Sequence, residues 1–349
     1  MGLETTRIAG TGVVAEINAG RSGPAVLLRA DMDALPIDEQ NTTAWRSTRK
    51  GQMHACGHDG HTAMLLLAAR RLVGRAATLP GRVVLLFQPA EEGAGGANRV
   101  LDEGLLERWR PDACGGIHLW SPFPTGTVLI TDGPFMASMD FFDVVIRGRG
   151  GHGAIPHTAR DPVVAAAQLV VALQTIVSRS VDPMDAAVVT VGRLRAGEAL
   201  NVIPDLAQLG GTTRSFRGEV QDLLEERVTG MAHGVAAAFG CTAEVDYRRK
   251  AIPLVNTPRW ADVARAAARD VQGAALGPSD YRTMGAEDMA FILDKCPGVF
   301  FFLGAGNPAV GATYPHHHPR FEIDEAALPL GVALLEGYAV RALESLAAA

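Results

Sequence analysis

The stretch Met53-His54-Ala55-Cys56-Gly57-His58-Asp59-Gly60-His61 places three histidines, one cysteine and one aspartate directly before an apolar run. That run, residues 63–69, predicts a helix over 61–72. Each of these polar side chains can bind a metal ion or carry a proton. The stretch therefore predicts a cluster of ligands held at the entrance of a helix.

Outward from this stretch, apolar runs alternate with helical patterns. Strands are predicted at residues 26–30, 83–87 and 116–119. Such alternation predicts an α/β fold with a mixed, mostly parallel sheet and helices on both faces. Polar residues follow these strands, and sites in open α/β sheets form outside the carboxyl ends of the strands. We therefore expect the ends of the three strands to point at one place.

Near residue 133 the pattern changes to that of a second domain. The predicted elements are, in order, strand 141–147, helix 161–178, strands 187–194 and 206–215, helix 220–239 and strand 242–248. This β-α-β-β-α-β order is that of a ferredoxin-like domain. The first pattern then resumes with a helix at 261–271, a strand at 299–303 and a helix at 325–345. We predict one domain from residues 1–133 and 249–349, and an inserted α+β domain at 134–248.

Composition limits the classes of function. Hydrophobic residues make up 48% and charged residues 20% of the 349 residues, which is ordinary for a globular protein. The formal net charge of −6 gives no reason to expect nucleic acid or an anionic membrane as a partner. We expect no apolar stretch long enough to span a bilayer, no signal peptide and no disulfide scaffold. A cytoplasmic protein is the expectation.

Two adjacent pairs carry candidate chemistry. Cys56 and His58 suit zinc-like ions, although the pair alone could equally be a buried thiol beside unrelated histidines. Glu91 and Glu92 follow a strand that Pro89 ends, so both carboxylates can turn towards one site. One could bind metal while the other takes a proton from water, but a bare Glu-Glu pair is more often a solvated turn.

Further histidines and aspartates complete the candidate set. His118 lies in a short apolar strand, where a histidine is often a core residue. The triplet His316-His317-His318 could be a solvated turn or could supply one ligand and two bystanders. Asp31 and Asp33 share a face of any extended segment and could orient a ligating imidazole, or form a turn. Together these residues offer ligands for two metal ions and a spare glutamate as base.

Seven segments also carry a family resemblance. They are RADMDALP at 29–36, HACGHD at 54–59, QPAEEG at 88–93, GHG at 151–153, NVIPD at 201–205, GTTRSF at 211–216 and GAEDM at 285–289. They resemble the M20 peptidase family, and within it the amidohydrolases that include hippurate hydrolase and plant auxin-conjugate hydrolases. The resemblance implies a zinc-exopeptidase-like catalytic domain and an inserted domain that serves as lid and dimerisation surface.

The resemblance also implies roles for individual residues. The implied ligands of two divalent ions (Zn, Mn, Co or Ni) are Cys56, His58, Glu92, His118 and His317. His317 is chosen because the family pattern is His-x-Pro followed by an aromatic residue two positions later. Glu91 would be the general base, and Asp31 and Asp33 would support the ligands. His152 would cross a homodimer interface to polarise the scissile carbonyl, and Asn201 and Arg214 would hold the substrate.

The expected activity is hydrolysis of the amide bond of a small N-acyl amino acid by a metal-activated water. A dipeptidase or aminopeptidase of the same superfamily is the main alternative. A degenerate metal-binding protein and a cysteine nucleophile at Cys56 are further alternatives. Related sequences usually carry another helix before the part that matches residues 11–14. If that helix is missing, apolar surface on the catalytic domain should be exposed.

Overall fold

The structure is a computed structural model and describes residues 1–93 and 95–349. The chain forms two compact units. Unit 1 comprises Met1–Phe135, Val255–Arg282 and Asp288–Ala349, and unit 2 comprises Met136–Leu254 and Thr283–Glu287. The short segment Thr283–Glu287 lies outside the inserted domain predicted at 134–248, so the second unit is built from two stretches of chain.

The elements are numbered along the chain. The described strands are β1 (Thr5–Ile8), β2 (Gly12–Ile17), β3 (Ala25–Asp31), β4 (Arg82–Gln88), β5 (Ala113–Pro124), β6 (Thr127–Leu129), β7 (Gly133–Met136), β8 (Met139–Arg147), β9 (Gly151–His152), β10 (Ala187–Ala196), β11 (Val202–Ile203), β12 (Leu206–Ser215), β13 (Thr242–Ala251), β14 (Leu254–Asn256), β15 (Ala275–Leu276) and β16 (Gly298–Gly306). The described α-helices are α1 (His58–Gly74), α2 (Gly96–Asp102), α3 (Leu105–Trp109), α4 (Pro162–Arg179), α5 (Gly218–Ala238), α6 (Pro258–Asp270), α7 (Met289–Lys295) and α8 (Ala327–Ala347).

Unit 1 is built on a mixed sheet with the strand order β1-β2-β4-β3-β5-β16-β6-β15. The four central strands β4, β3, β5 and β16 run parallel to one another, whereas the pairs β1–β2, β2–β4 and β16–β6 are antiparallel. Every residue of β3 is buried, as expected for a strand covered on both faces. The predicted mixed, mostly parallel α/β fold is confirmed.

Two element boundaries in unit 1 differ from those predicted, and both matter for the site. α1 begins at His58 and not at His61, because Gly57 adopts a left-handed conformation (φ 87°) that ends the preceding loop. The predicted short strand 116–119 belongs to the longer β5, whose pairing with β3 stops at Gly116. His118 therefore lies just beyond the part of β5 that pairs with β3, while on its other side it still pairs with Phe302 of β16.

The core of unit 1 lies between the sheet and the helices α1, α6 and α8. Met64 and Leu65 of α1, Trp260 of α6 and Tyr338 of α8 belong to one buried cluster with the central strands. On the outer side of α1, Leu66 is 47% exposed and lines an open, mostly apolar cavity of about 380 Å³. This packing fixes α1, and with it the ligand cluster at its first residue, against the sheet.

Unit 2 contains an antiparallel sheet with the order β10-β12-β8-β13, and the helices α4 and α5. Along the chain these elements follow one another as β-α-β-β-α-β, the order of a ferredoxin-like fold. Inward residues such as Phe142, Leu169, Leu209 and Leu224 form its buried core. The strand pair β9–β11 places His152 opposite Val202.

One helix corrects the expectation about apolar stretches. By length and composition α4 could cross a membrane, with a mean hydropathy of 1.4 over 18 residues. The helix begins after Asp161, whose carboxylate accepts a hydrogen bond from the N–H of Val163. Leu169, Leu173 and other residues of its inner face are buried in the core of unit 2, which accounts for part of its apolar character.

Candidate active site

The Cys56-Gly57-His58 turn presents two of the predicted metal ligands. Because Gly57 has a positive φ, the chain reverses between Cys56, which is half-buried, and His58, which is the buried first residue of α1. Cys56 Sγ lies 3.5 Å from Nε2 of His118. The potential ligand atoms of Cys56, His58 and His118 all lie within 4.8 Å of one another. A thiolate and two imidazoles at this spacing fit a zinc-like ion.

A tight turn after β4 brings both glutamates to the same place. Ala90 has a left-handed conformation (φ 60°), and its carbonyl accepts the N–H of Gly96 at 2.9 Å. A Cβ on Gly96 would lie 1.7 Å from the carbonyl oxygen of Pro89, so the chain can fold back only with glycine there. Carboxylate oxygens of Glu91 and Glu92 lie within 4.8 Å of each other and of His58.

The histidine triplet is split among three environments. His317 has a left-handed backbone (φ 65°), and its Nε2 lies 3.2 Å from Oε1 of Glu92. The potential ligand atoms of His317, Glu92 and Cys56 lie within 4.8 Å of one another. The ring of His318 stacks on Tyr314 with centroids 4.5 Å apart. Positive φ is rare for a non-glycine residue, and such strain concentrates at functional positions.

His316 was treated as a bystander in the sequence interpretation, but the structure places it in contact with the site. Its Nε2 accepts the N–H of Ser121 at 3.2 Å, and its Nδ1 lies 3.9 Å from Cys56 Sγ. Its ring stacks on Trp120 at 4.8 Å. Burial, together with nearby histidines, lowers the pKa of His316 to about 3. The sequence gives no signal that distinguishes this ring from its neighbours.

Burial and hydrogen bonds set the charge of two candidate ligands. Burial lowers the pKa of His118 well below its ordinary value, which keeps the ring neutral and able to donate a lone pair to a metal. The hydrogen bond to Glu92 raises the pKa of His317 above its ordinary value. His317 therefore holds a proton more readily than His118 when no metal is bound.

The aspartates predicted to support the ligands lie directly behind them. Asp33 Oδ1 lies 3.3 Å from Nδ1 of His58, and its Oδ2 accepts the N–H of Glu92 at 3.0 Å. Asp31 is fully buried, and its Oδ1 lies 2.6 Å from Nδ1 of His61. Burial alone would raise the pKa of Asp31, but His58, His61 and Arg29 outweigh it and hold the pKa well below the ordinary value.

A buried charge network beneath these residues was missed by the sequence interpretation. Arg29 is 2% exposed, and its guanidinium donates to Asp31 Oδ2 at 2.7 Å, Gln88 Oε1 at 3.0 Å and Asp288 Oδ1 at 2.9 Å. Asp288 also accepts the N–H of Ala97 at 2.8 Å. An arginine directly after the apolar residues 25–28 of the buried strand β3 was the available signal, because a buried cation requires buried acceptors.

The remaining predicted residues belong to unit 2. His152 is exposed at the β9–β11 pair, and the neighbouring Gly153 N–H donates to the carbonyl of Asn201 at 2.8 Å. His152 and Asn201 therefore lie on adjacent segments. Arg214 is on β12, and its Nη1 is buried without a hydrogen-bond partner among the residues that the structure describes. Burial lowers the pKa of Arg214, although Asp140 opposes the shift.

Comparisons with known proteins define the class to which this fold and site belong. The sequence profile of Peptidase family M20/M25/M40 matches residues 27–341. The chain belongs to this family, and the predicted hydrolase class is confirmed with it.

Among its relatives, the chain is 42% identical to an N-acetyl-L-cysteine deacetylase of Bacillus subtilis, covering 96% of this chain and 78% of that protein. It is 40% identical to the IAA-amino acid hydrolase ILR1-like 4 of Arabidopsis thaliana, covering 98% of this chain and 78% of that one. Among solved structures it resembles the YXEP protein of Bacillus subtilis, described as a dinuclear metal binding peptidase of the M20 family. The TM-score is 0.84 and the sequence identity is 36%, and the match covers 98% of this chain and 88% of that chain.

Proposed function

We propose that the protein hydrolyses the amide bond of N-acyl amino acids in a metal-dependent reaction. The observation that carries the proposal is the position of Glu91, whose carboxylate lies within 4.8 Å of the candidate ligand atoms of His58 and Glu92. A base next to a metal site is the arrangement needed to activate water. The relatives named as an N-acetyl-L-cysteine deacetylase and an IAA-amino acid hydrolase support this class of substrate.

We propose further that the site holds two divalent ions, chosen among zinc, manganese, cobalt and nickel. Cys56 belongs to two groups of candidate ligands, one with His58 and His118 and the other with Glu92 and His317. A shared thiolate between two groups suits a dinuclear site, and mixed thiolate, imidazole and carboxylate ligands suit these ions. When bound, such ions lower the pKa of water and polarise a carbonyl group.

Glu91 is the proposed general base. Its carboxylate is the one member of the Glu91–Glu92 pair that the proposed ligand set leaves out. The carboxylate would take a proton from the attacking water and pass it to the leaving amine. Its Oε1 accepts the N–H of Asp288 at 3.4 Å, a contact that orients the carboxylate.

Unit 2 would supply the groups that bind the substrate. A guanidinium matches a carboxylate in shape and charge, and the buried Nη1 of Arg214 has no hydrogen-bond partner among the described residues. We therefore propose that Arg214 selects the free carboxylate of the amino acid. Asn201 would bind the substrate carbonyl or carboxylate, and the exposed ring of His152 would hydrogen bond the carbonyl oxygen that becomes negatively charged.

A homodimer through unit 2 is also proposed. The edge strand β10 leaves backbone groups available for pairing, and Leu194 on it is 49% exposed. On α4, Val163, Val164 and Val171 are 41%, 44% and 64% exposed. Apolar side chains grouped on an outer helix and an edge strand fit an interface between copies.

Activity measurements test the proposal. The protein is stripped with a chelator and then assayed on hippurate, acetyl-amino acids and dipeptides after Zn²⁺, Mn²⁺, Co²⁺ or Ni²⁺ is restored. We expect no activity without metal and faster cleavage of acylated than of free-amine substrates. Preference for dipeptides would support the peptidase alternative. Activity that survives the chelator would revive Cys56 as a nucleophile, and metal binding without any hydrolysis would indicate a degenerate protein.

A further inference from the structure

The backbone of Leu119 is held by two histidines, one at its N–H and the other at its carbonyl oxygen. Its N–H donates to Nε2 of His61 at 2.8 Å. Its carbonyl oxygen accepts a hydrogen bond from Nδ1 of His118 at 2.6 Å. His61 lies on α1 and His118 on β5, so the backbone of this one residue, through the two successive peptide groups that flank its Cα, connects the two elements.

The chemistry of a peptide group fixes where both imidazoles carry their protons. A backbone N–H can only donate, so Nε2 of His61 is unprotonated and its proton is on Nδ1. Nδ1 of His61 accordingly donates to Asp31 Oδ1 at 2.6 Å. A carbonyl can only accept, so His118 is protonated on Nδ1 and its Nε2 carries the lone pair. That Nε2 is the atom 3.5 Å from Cys56 Sγ.

The resulting series of hydrogen bonds runs from Asp31 through His61 and Leu119 to His118. It is shielded from water. The exposed fractions of Asp31, His61 and His118 are 0%, 1% and 4%. The other oxygen of Asp31 is held by Arg29 at 2.7 Å, so the carboxylate cannot rotate freely. Because water cannot replace a lost partner at this depth, a change at His61 should reach His118 directly.

We propose that His61 is a positioning residue that sets the tautomer and orientation of His118 through the backbone of Leu119. The inference rests on the proposed function in one respect, namely that His118 binds metal. In known metal sites, outer partners of a ligating histidine fix its ring orientation and tautomer, and their loss typically lowers metal affinity 10- to 100-fold. Here the connection passes through the backbone of Leu119, so it cannot be found by looking for a carboxylate beside His118.

Two substitutions separate the hydrogen bonds made by the two ring nitrogens of His61. In His61→Gln the side-chain oxygen can take the place of Nε2 and accept the N–H of Leu119. In His61→Asn the shorter amide can take the place of Nδ1 and donate to Asp31, but it leaves the N–H of Leu119 without an acceptor. We expect Zn²⁺ affinity, measured by competition with a coloured chelator, to fall about threefold or less in His61→Gln and about 10- to 100-fold in His61→Asn.

A second readout does not depend on bound metal. Long-range ¹H–¹⁵N spectra of the metal-free protein report which ring nitrogen of His118 carries the proton. We expect Nδ1–H in the wild type and in His61→Gln, and a mixture of tautomers in His61→Asn. Leu72→Ala, a cavity in the same helix at a fully buried position, is the control for general destabilisation. It should lower the unfolding temperature while leaving both readouts unchanged.

The outcomes separate this inference from the proposed function. Equal Zn²⁺ affinity in His61→Asn and the wild type, or an unchanged His118 tautomer, would overturn the positioning role. Equal losses in His61→Asn, His61→Gln and Leu72→Ala would overturn it as well, because a general loss of packing would then explain the effect. If the wild type binds no Zn²⁺, the proposed function fails, and the spectra alone decide the role of His61.

Discussion

The sulfur of Cys56 lies 3.5 Å from Nε2 of His118, a ring that burial keeps neutral. A neutral imidazole brings no positive charge to this sulfur, whereas a bound metal cation would. Cys56 is half-buried, whereas Cys114, Cys241 and Cys296 are buried. Cys56 is therefore the most accessible of the four thiols.

The first prediction concerns oxidation of that thiol. Peroxide treatment of the metal-stripped protein should abolish the activity recovered when metal is restored, because oxidation of Cys56 removes a proposed ligand. Cys56→Asp, which offers a carboxylate in place of the thiolate, should be insensitive to the same treatment while keeping part of the activity. Mass spectrometry should locate the modification at Cys56 ahead of Cys114. A normal rate after complete oxidation of Cys56 would contradict its role as a ligand.

The second prediction distinguishes the two adjacent glutamates. Glu91→Gln should keep bound metal and lose activity by about 10²- to 10⁴-fold, since it removes only the proton acceptor. Glu92→Gln should instead lower metal content, because Glu92 shares a candidate ligand group with Cys56 and His317. Metal analysis and steady-state rates on one N-acyl amino acid measure both effects. An active Glu91→Gln protein would show that another group is the base.

The third prediction is a pH dependence of stability. Burial would raise the pKa of Asp33, but hydrogen bonds from His58 and the backbone outweigh it and lower the pKa. Because the pKa is lower in the folded state, the charged Asp33 stabilises the fold at pH values above the unfolded-chain pKa of about 3.9. This stabilisation is lost as the pH falls through the folded pKa.

In the metal-free protein, the free energy of unfolding should therefore be larger for the wild type than for Asp33→Asn at pH 6. The difference should shrink as the pH is lowered to 3, because below about 3.9 the unfolded chain takes up the proton while folded Asp33, with its lowered pKa, keeps its charge to lower pH. Urea unfolding at the two pH values provides the measurement. A difference that stays constant with pH would mean that the charge of Asp33 does not stabilise the fold.

The fourth prediction tests the selection of a carboxylate by Arg214. Loss of a charge-assisted hydrogen bond costs about 1.5–3 kcal/mol, so Arg214→Met should raise KM for N-acyl amino acids about 10- to 100-fold. Substrates whose carboxylate is converted to an amide should be affected much less. Arg214→Lys keeps the charge but not the planar fork, so its KM for N-acyl amino acids should lie between those of the wild type and Arg214→Met. An equal rise in KM for acid and amide substrates would mean that Arg214 stabilises the fold of unit 2 and does not bind the carboxylate.

Much of the fold could be predicted because it depends on local patterns. The continuous apolar runs of β3, β4 and β16 and the amphipathic α4 and α5 were found from periodicity. The short strands β1, β6 and β15 were not, since two to four residues carry too little pattern to be distinguished from a loop. The start of α1 was placed three residues late because the left-handed conformation of Gly57 is a property of the backbone and not of periodicity.

The sequence by itself determined which chemical groups are available and their order, namely a thiol and a histidine at a helix entrance, two glutamates after a strand and a later histidine triplet. Only the tertiary structure decided which atoms meet: His317 beside Glu92, His316 against Trp120, and Arg29 beside Asp288. It alone placed the ring of His61 against the N–H of Leu119. The physical reason is that these contacts join residues far apart in sequence, and the packing of α1 on the parallel sheet sets their geometry.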